Sequence, residues 1–155
     1  MPKQEFPFPM PNGWFCISRS HELENGELKS IKFCENDVAA FRTKSGEVSV
    51  LDAYCGYSGI NLGISGHVEG ENLVCPKHGI KWSVNGSCAE IEEKSIVPES
   101  AKNIQMFSYP VVEVNGFIWA WHHLHKEEPE WEVPVIEGFN GDDEKWGKTY
   151  YYDYN

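Results

Sequence analysis

No stretch of this 155-residue sequence approaches the roughly 18 consecutive apolar residues that a membrane-spanning helix needs. Residues 1–11 also lack the basic start and the apolar stretch that mark a signal peptide. From these two absences we expect a protein that stays in the cytoplasm and does not insert into a membrane.

Positive charge is also scarce. The chain has 13 Lys and Arg against 24 Asp and Glu, which gives a formal net charge of -11. Such a balance repels phosphate backbones, so nucleic acid is not an expected partner. It favours solubility and can steer a basic partner protein toward the surface.

Cysteine is present in an odd number, five, at irregular spacing. This pattern argues against a disulfide framework, and in a reducing compartment paired Cys and His residues indicate metal instead. Cys16, Cys34 and Cys88 lie in strand-like surroundings, where thiols usually serve as small core residues.

Helical periodicity is missing too, whereas short β-prone runs separated by turn signals are frequent. The runs at 14–17, 28–33, 38–43 and 48–53 predict an antiparallel meander across residues 13–53. Residues 111–121 carry Asn115-Gly116 between two apolar runs, a two-residue turn that predicts a hairpin. The fold class is therefore predicted to be all-β with little helix.

One domain accounts for this length and for an apolar content of 41%. We expect it to cover residues 1–125, with the proline-rich opening at 6–11 laid on it as an extended arm. Residues 90–105 are polar enough for a loop with one helical turn. Residues 126–155 are rich in acids, Trp and Tyr, and predict a tail that packs on the same domain through its aromatic rings.

Two Gly- or Pro-rich segments each pair a cysteine with a second side chain at short range. They read Cys55-Gly56-Tyr57-Ser58-Gly59 and Cys75-Pro76-Lys77-His78-Gly79. A Rieske-type [2Fe-2S] cluster needs two thiolates on one iron and two imidazoles on the other, usually supplied as C-x-H and C-x-x-H. The second segment matches fully, and 17 residues separate Tyr57 from Cys75. The first segment has Tyr57 in place of its histidine.

Several further motifs accompany these loops, and with them the first 125 or so residues resemble the Rieske domain of oxygenases that include 3-ketosteroid 9α-hydroxylase and cholesterol 7-desaturase. The motifs are the Phe6-Pro7-Phe8-Pro9 opening with Asn12-Gly13-Trp14-Phe15, the approach Leu51-Asp52-Ala53-Tyr54-Cys55, the run Gly79-Ile80-Lys81-Trp82, Asn85-Gly86-Ser87-Cys88, and the hairpin from Tyr109-Pro110-Val111 to Trp121. The resemblance implies Rieske-type antiparallel sheets with a smaller cluster-binding subdomain, built on ligand loops at 53–63 and 74–83.

The same resemblance implies a ligand set and a function. Cys55 and Cys75 would bind one iron and His78 the other, with Tyr57 where the second imidazole belongs. The implied function is an electron-transfer protein, ferredoxin-like, working with a reductase or an oxygenase as its redox partner. Oxygenases of this family continue into a second domain with mononuclear iron, so we do not expect this chain to hydroxylate a substrate alone.

Because Tyr57 stands in place of a histidine, the sequence is compatible with more than one cofactor. A phenolate is anionic, so as a ligand it would favour ferric iron and lower the reduction potential. If Tyr57 does not bind iron, the cluster should be labile or absent. Cys55, Cys75 and His78 could then hold a single Zn or Fe with water. A degenerate Rieske fold without metal, serving as a binding or assembly module, is the remaining alternative.

Four other histidines are weaker candidates. His67 lies midway between the two loops and could move to replace the missing imidazole. His122, His123 and His125 end the last predicted strand, where we expect them to be solvated. Of these three only His123 and His125 share a strand face.

Overall fold

The computed structural model describes residues 8–92 and 96–139, and within them ten strands form three antiparallel sheets. The strands are β1 (Gly13–Arg19), β2 (Leu28–Phe33), β3 (Asn36–Arg42), β4 (Val48–Asp52), β5 (His67–Glu69), β6 (Asn72–Cys75), β7 (Ile80–Trp82), β8 (Cys88–Ile91), β9 (Val111–Val114) and β10 (Phe117–His122). Helix in the same residues is limited to α1 (Leu62–Ser65) and two 3-10 turns, Ser20–Glu22 and Glu99–Asn103. The all-β prediction is confirmed, and no described helix has the length and apolarity to cross a membrane.

The sheet β2-β3-β4 forms the middle layer and is buried on both faces at its centre. Successive residues of a strand point to opposite faces, and β3 divides its side chains accordingly. Val38 and Ala40 pack in one core, whereas Ala39 and Phe41 pack in the other. This double burial explains why β3 is an uninterrupted apolar run without polar alternation.

The second sheet, in the order β1-β10-β9, corrects the predicted meander. The hairpin β9–β10 forms as expected, with Asn115 at φ 58° and Gly116 at φ 77° in its turn. However, β1 does not join β2, because it pairs with β10 over a register that sets Trp14 opposite Trp121. The meander is therefore confined to β2, β3 and β4.

The third sheet, in the order β5-β6-β7-β8, carries the second predicted ligand loop in its β6–β7 turn. The first predicted ligand loop follows β4 and leads into α1. Both loops border a core that contains the two cysteines together with Leu62, Ile80 and Trp82. Residues 90–105, expected to be a loop, begin inside β8 and include the 3-10 turn Glu99–Asn103, while residues 93–95 lie outside the described part.

The segment 126–139 runs across the sheet β1-β10-β9 and is held by hydrogen bonds from aromatic and amide side chains. Trp14 Nε1 donates to the carbonyl of Trp131 at 2.7 Å, and Trp121 Nε1 donates to the carbonyl of Glu127 at 3.0 Å. Asn115 donates to the Pro134 carbonyl at 2.9 Å. Residues 140–155 of the predicted tail, and residues 1–7 of the predicted arm, lie outside the described residues.

Candidate metal centre

The two predicted ligand loops have the same backbone hydrogen bond. In each, the carbonyl of the cysteine accepts a hydrogen bond from the glycine four residues later: Gly59 N to Cys55 O at 2.8 Å and Gly79 N to Cys75 O at 2.9 Å. Both glycines have positive φ, 71° and 62°, which glycine adopts at the lowest steric cost. The loops therefore present their cysteines on equivalent turns.

Cys55 and Cys75 are both buried, at 3% and 0% exposure. Burial raises the pKa of the Cys55 thiol, but hydrogen bonds from the Ser58 side chain, from the amides of Ser58 and Tyr57, and from the Cys75 side chain outweigh it and leave the pKa below its usual value. At Cys75, burial is the larger effect and raises the pKa despite the Ser58 hydroxyl and the Lys77 amide. The two thiols therefore lie close enough to affect each other's pKa, and backbone amides contribute at both sulfurs.

The imidazole and the phenol lie beside each other. The rings of Tyr57 and His78 are in edge-to-face contact, with centroids 5.1 Å apart and planes at 81°. Both residues are partly buried, and the Nδ1 atom of His78 is buried without a hydrogen-bond partner among the described residues. An unpaired buried nitrogen is costly unless it binds something. The donor set and this unsatisfied atom fit a metal cofactor at the two loops.

Ser58 is a residue that the motif did not single out. Its hydroxyl lies 3.4 Å from the sulfur of Cys75, so a side chain of the first loop reaches the cysteine of the second. Serine in a glycine-rich segment is usually a turn residue, and the sequence contains no signal for this cross-loop contact. Only the folded arrangement shows it.

Gly56 is required by close packing. A Cβ atom at this position would lie 2.6 Å from the Ile104 side chain, shorter than real Cβ contacts. The neighbouring contacts come from Met106 and Trp82, which belong to the same core as the two cysteines. Because Gly56 has no side chain, the first loop can pack directly against this core.

Within residues 8–92 and 96–139, no three side chains among His, Cys, Asp and Glu are grouped to hold a single metal ion. A two-iron cluster asks for a different arrangement, because each iron takes two protein ligands. The described donors are arranged in pairs, with the Cys55 and Cys75 thiols close enough to affect each other's pKa and the Tyr57 and His78 rings in contact.

His67 is not brought to this centre. It pairs with Val74 across β5 and β6, so the two side chains share one sheet face. Cys75 is the next residue along β6 and points to the other face. The imidazole of His67 is exposed and lies 4.0 Å from the Glu69 carboxylate.

The expectation of a solvated histidine cluster after β10 is wrong for two of its members. His122 is 9% exposed and packs edge-on against Phe15 and Phe33. The side chain of His123 is 6% exposed, and its Nδ1 accepts a hydrogen bond from the amide of His125 at 3.2 Å. Phe15 and Phe33 belong to other strands, so a local pattern does not reveal that they cover the ring of His122.

Cys34 also departs from its expected strand setting. It lies in the turn between β2 and β3 with φ 45°, and burial together with the nearby Glu35 carboxylate raises the pKa of its thiol to about 11. Cys16 and Cys88 do lie in strands, β1 and β8, and are half-buried.

The family model and the similar sequences all point to one protein family. Residues 13–107 match the model of the Rieske [2Fe-2S] domain. The chain is 41% identical over 132 residues to cholesterol 7-desaturase nvd 1 of Ciona intestinalis, covering 85% of this chain and 27% of that protein. It is 33% identical over 125 residues to a probable 3-ketosteroid-9-alpha-monooxygenase oxygenase component of Rhodococcus rhodochrous, covering 81% and 30%. The chain thus spans less than a third of each relative.

Solved structures show the same fold. The terminal oxygenase of carbazole 1,9a-dioxygenase from Nocardioides aromaticivorans IC177 superposes with a TM-score of 0.70 at 23% identity, covering 87% of this chain and 36% of that one. The reduced complex between oxygenase and ferredoxin in carbazole 1,9a-dioxygenase gives 0.64 at 20% identity, with 73% and 29% covered.

Proposed function

The chain belongs to the Rieske [2Fe-2S] domain family, and on this basis we propose that its two loops hold a [2Fe-2S] cluster and make it an electron-transfer module. Cys55 and Cys75 are assigned to one iron. His78 binds the other iron, and Tyr57 takes the position of the second imidazole.

The donor set of the two loops is the main support for this proposal. Two buried thiols lie close together on equivalent turns, and the second loop also carries an imidazole whose Nδ1 is buried without a hydrogen-bond partner among the described residues. Thiolates on one side and a neutral nitrogen donor on the other form the asymmetric donor set that a Rieske cluster takes from its protein. This arrangement supports the proposed assignment of Cys55, Cys75 and His78.

The cluster, when bound, supplies a centre that accepts and releases one electron. The residues around the cluster would set its reduction potential. Amides of Tyr57, Ser58 and Lys77 hydrogen-bond to the cysteine sulfurs and stabilise negative charge there. Tyr57 acts in the opposite direction, because an anionic oxygen donor stabilises ferric iron and lowers the potential. We therefore propose a potential below that of clusters with two imidazoles.

The partner is proposed to be a separate redox protein, a reductase or an oxygenase. The relatives and structural matches include oxygenase components and an oxygenase–ferredoxin complex. The net charge of -11 favours association with a basic surface on that partner. In this proposal residues 1–125 form the Rieske unit and residues 126–155 a tail packed on it.

Chemical analysis tests the cofactor. Protein produced anaerobically with ample iron should contain about two irons and two acid-labile sulfides per chain, with a visible spectrum that bleaches reversibly on reduction. Cys75→Ser should lose both iron and sulfide. Cys16→Ser is the matched control, since Cys16 lies in β1 with its sulfur 3.8 Å from the Ser18 carbonyl, away from the loops. Colourless wild-type protein would contradict the proposal.

A second function is favoured by Tyr57 itself. The alternative proposal is a degenerate Rieske fold that serves as a binding or assembly module, or that holds a mononuclear Zn or Fe. One metal per chain without sulfide would identify the mononuclear form. Partner binding that survives Cys75→Ser in metal-free protein would identify the binding module.

A further inference from the structure

We propose that the Ser58 hydroxyl is a positioning residue that hydrogen-bonds the Cys75 sulfur and raises the reduction potential of the centre. This inference rests on the proposed cluster ligation. The observation behind it is the 3.4 Å separation between Ser58 Oγ and Cys75 Sγ in a partly buried setting.

The backbone of the first loop places Ser58 for this contact. The turn closed by the Cys55 carbonyl and the Gly59 amide at 2.8 Å sets Ser58 three residues after the cysteine. His78 occupies the same position in the second loop, three residues after Cys75. Each of these two side chains contacts the opposite loop, Ser58 at Cys75 and His78 at Tyr57. The side chain at this position of each loop therefore contacts the other loop.

The chemistry fixes the direction of the hydrogen bond. In the free thiol form either atom can donate. A metal-binding cysteine is a thiolate and has no hydrogen, so Ser58 must then donate to Cys75. Such a bond to an ionised acceptor is stronger than a neutral one.

The effect on the potential follows from where the added charge goes. Reduction adds one electron, breaks no bond at Ser58 or Cys75, and increases the negative charge on the sulfur ligands. The hydrogen bond from Ser58 is therefore stronger in the reduced state and stabilises it. Ser58 and its neighbour Tyr57 act in opposite directions on the same centre.

Spectroelectrochemical titration of the loaded protein tests this role. In Ser58→Ala the ratio of reduced to oxidised cluster at a fixed potential should fall about fivefold, a shift of about 40 mV to more negative values at 59 mV per tenfold change. Ser58→Thr keeps the hydroxyl and should restore the wild-type potential. Ser18→Ala should leave it unchanged, because Ser18 lies in β1, outside both loops, and its hydroxyl donates to the Arg19 carbonyl.

If the Ser58→Ala protein binds too little cluster for a titration, a second pair of variants tests the same hydroxyl. Ser58→Thr and Ser58→Val have nearly the same shape and differ in the hydroxyl, so the valine protein should show the more negative potential. Loaded wild-type protein whose potential is unaffected by Ser58→Ala and Ser58→Val overturns the role of Ser58 and leaves the proposed function intact. Wild-type protein without iron and sulfide overturns both.

Discussion

The rings of Tyr57 and His78 meet edge to face, with centroids 5.1 Å apart. The residue that replaces a histidine in the motif is therefore held directly beside the histidine that is present. This contact joins the two loops. Substitutions at Tyr57 are consequently the most informative tests of the centre.

Tyr57→His should raise the reduction potential. It replaces an anionic oxygen donor with a neutral nitrogen donor, so the cluster should move into the range of about -150 to +300 mV that two imidazoles give. A redox titration followed by visible absorption measures the change. Tyr54→Phe is the control in the same loop, because Tyr54 is exposed and bonds to Asp37 at 3.0 Å. Equal potentials for wild type and Tyr57→His would show that Tyr57 does not act on the iron.

Tyr57→Phe removes the phenol oxygen and keeps the ring. The packing against His78 should persist, so the melting temperature of the metal-free protein should stay close to that of wild type. Cluster retention should fall at least about tenfold, the lower end of what lost ligand support costs. Iron release to a chelator over time measures it. Unchanged release would remove Tyr57 from the ligand set.

Gly56→Ala should destabilise the fold by overpacking. The new Cβ would meet the Ile104 side chain at 2.6 Å, and such crowding costs about 1–3 kcal/mol. Urea unfolding of metal-free protein measures the loss. The double variant Gly56→Ala with Ile104→Ala should lose less than the two single changes combined, because they share the same space. Additive losses would argue against the contact.

Tyr109→Phe tests the attachment of the first loop. Tyr109 donates to Asp52 at 2.9 Å, at the end of β4 just before the loop. Its removal should cost about 1–2 kcal/mol of unfolding free energy. Burial and the Asp52 carboxylate raise the pKa of Tyr109 above 10.0, so this contribution is fully present below that pH and is lost as the pH rises further. Urea unfolding at pH 7 and at alkaline pH, on both proteins, checks the sign.

Truncation after residue 125 tests the tail. It removes the carbonyl partners of Trp14 and Trp121 and uncovers the outer face of β1 and β10. The melting temperature should fall by at least about 4 °C, the shift expected for a loss of 1 kcal/mol or more in a domain of this size. Iron per folded chain should not change, since the two predicted ligand loops adjoin the other two sheets. A truncated protein as stable as the full chain would contradict the packing role.

Local pattern predicted much of the fold. Turn residues and short apolar runs located β2, β4 and the β9–β10 hairpin within a residue of their observed ends. The pairing of β1 with β10 was missed because it joins residues about a hundred positions apart, and no local signal encodes such a partner. Burial of His122 escaped prediction for the same reason, since Phe15 and Phe33 come from other strands.

The candidate site was predicted in its parts rather than in its contacts. Spacing singled out Cys55, Cys75 and His78 as candidate ligands, because metal ligands on short loops must follow fixed intervals. The Ser58 contact to Cys75 and the Tyr57 contact to His78 depend on how two separate loops face each other. Sequence spacing within one loop cannot show that relationship.

The central claim is that this chain holds a [2Fe-2S] cluster despite Tyr57. Electron paramagnetic resonance of the dithionite-reduced wild-type protein tests it most directly, because a reduced two-iron cluster has one unpaired electron. We predict a signal that integrates to about one spin per two irons and differs in its g values from that of Tyr57→His. A silent wild-type protein beside a Tyr57→His protein with a Rieske signal would contradict the claim and show that Tyr57 abolishes the cluster.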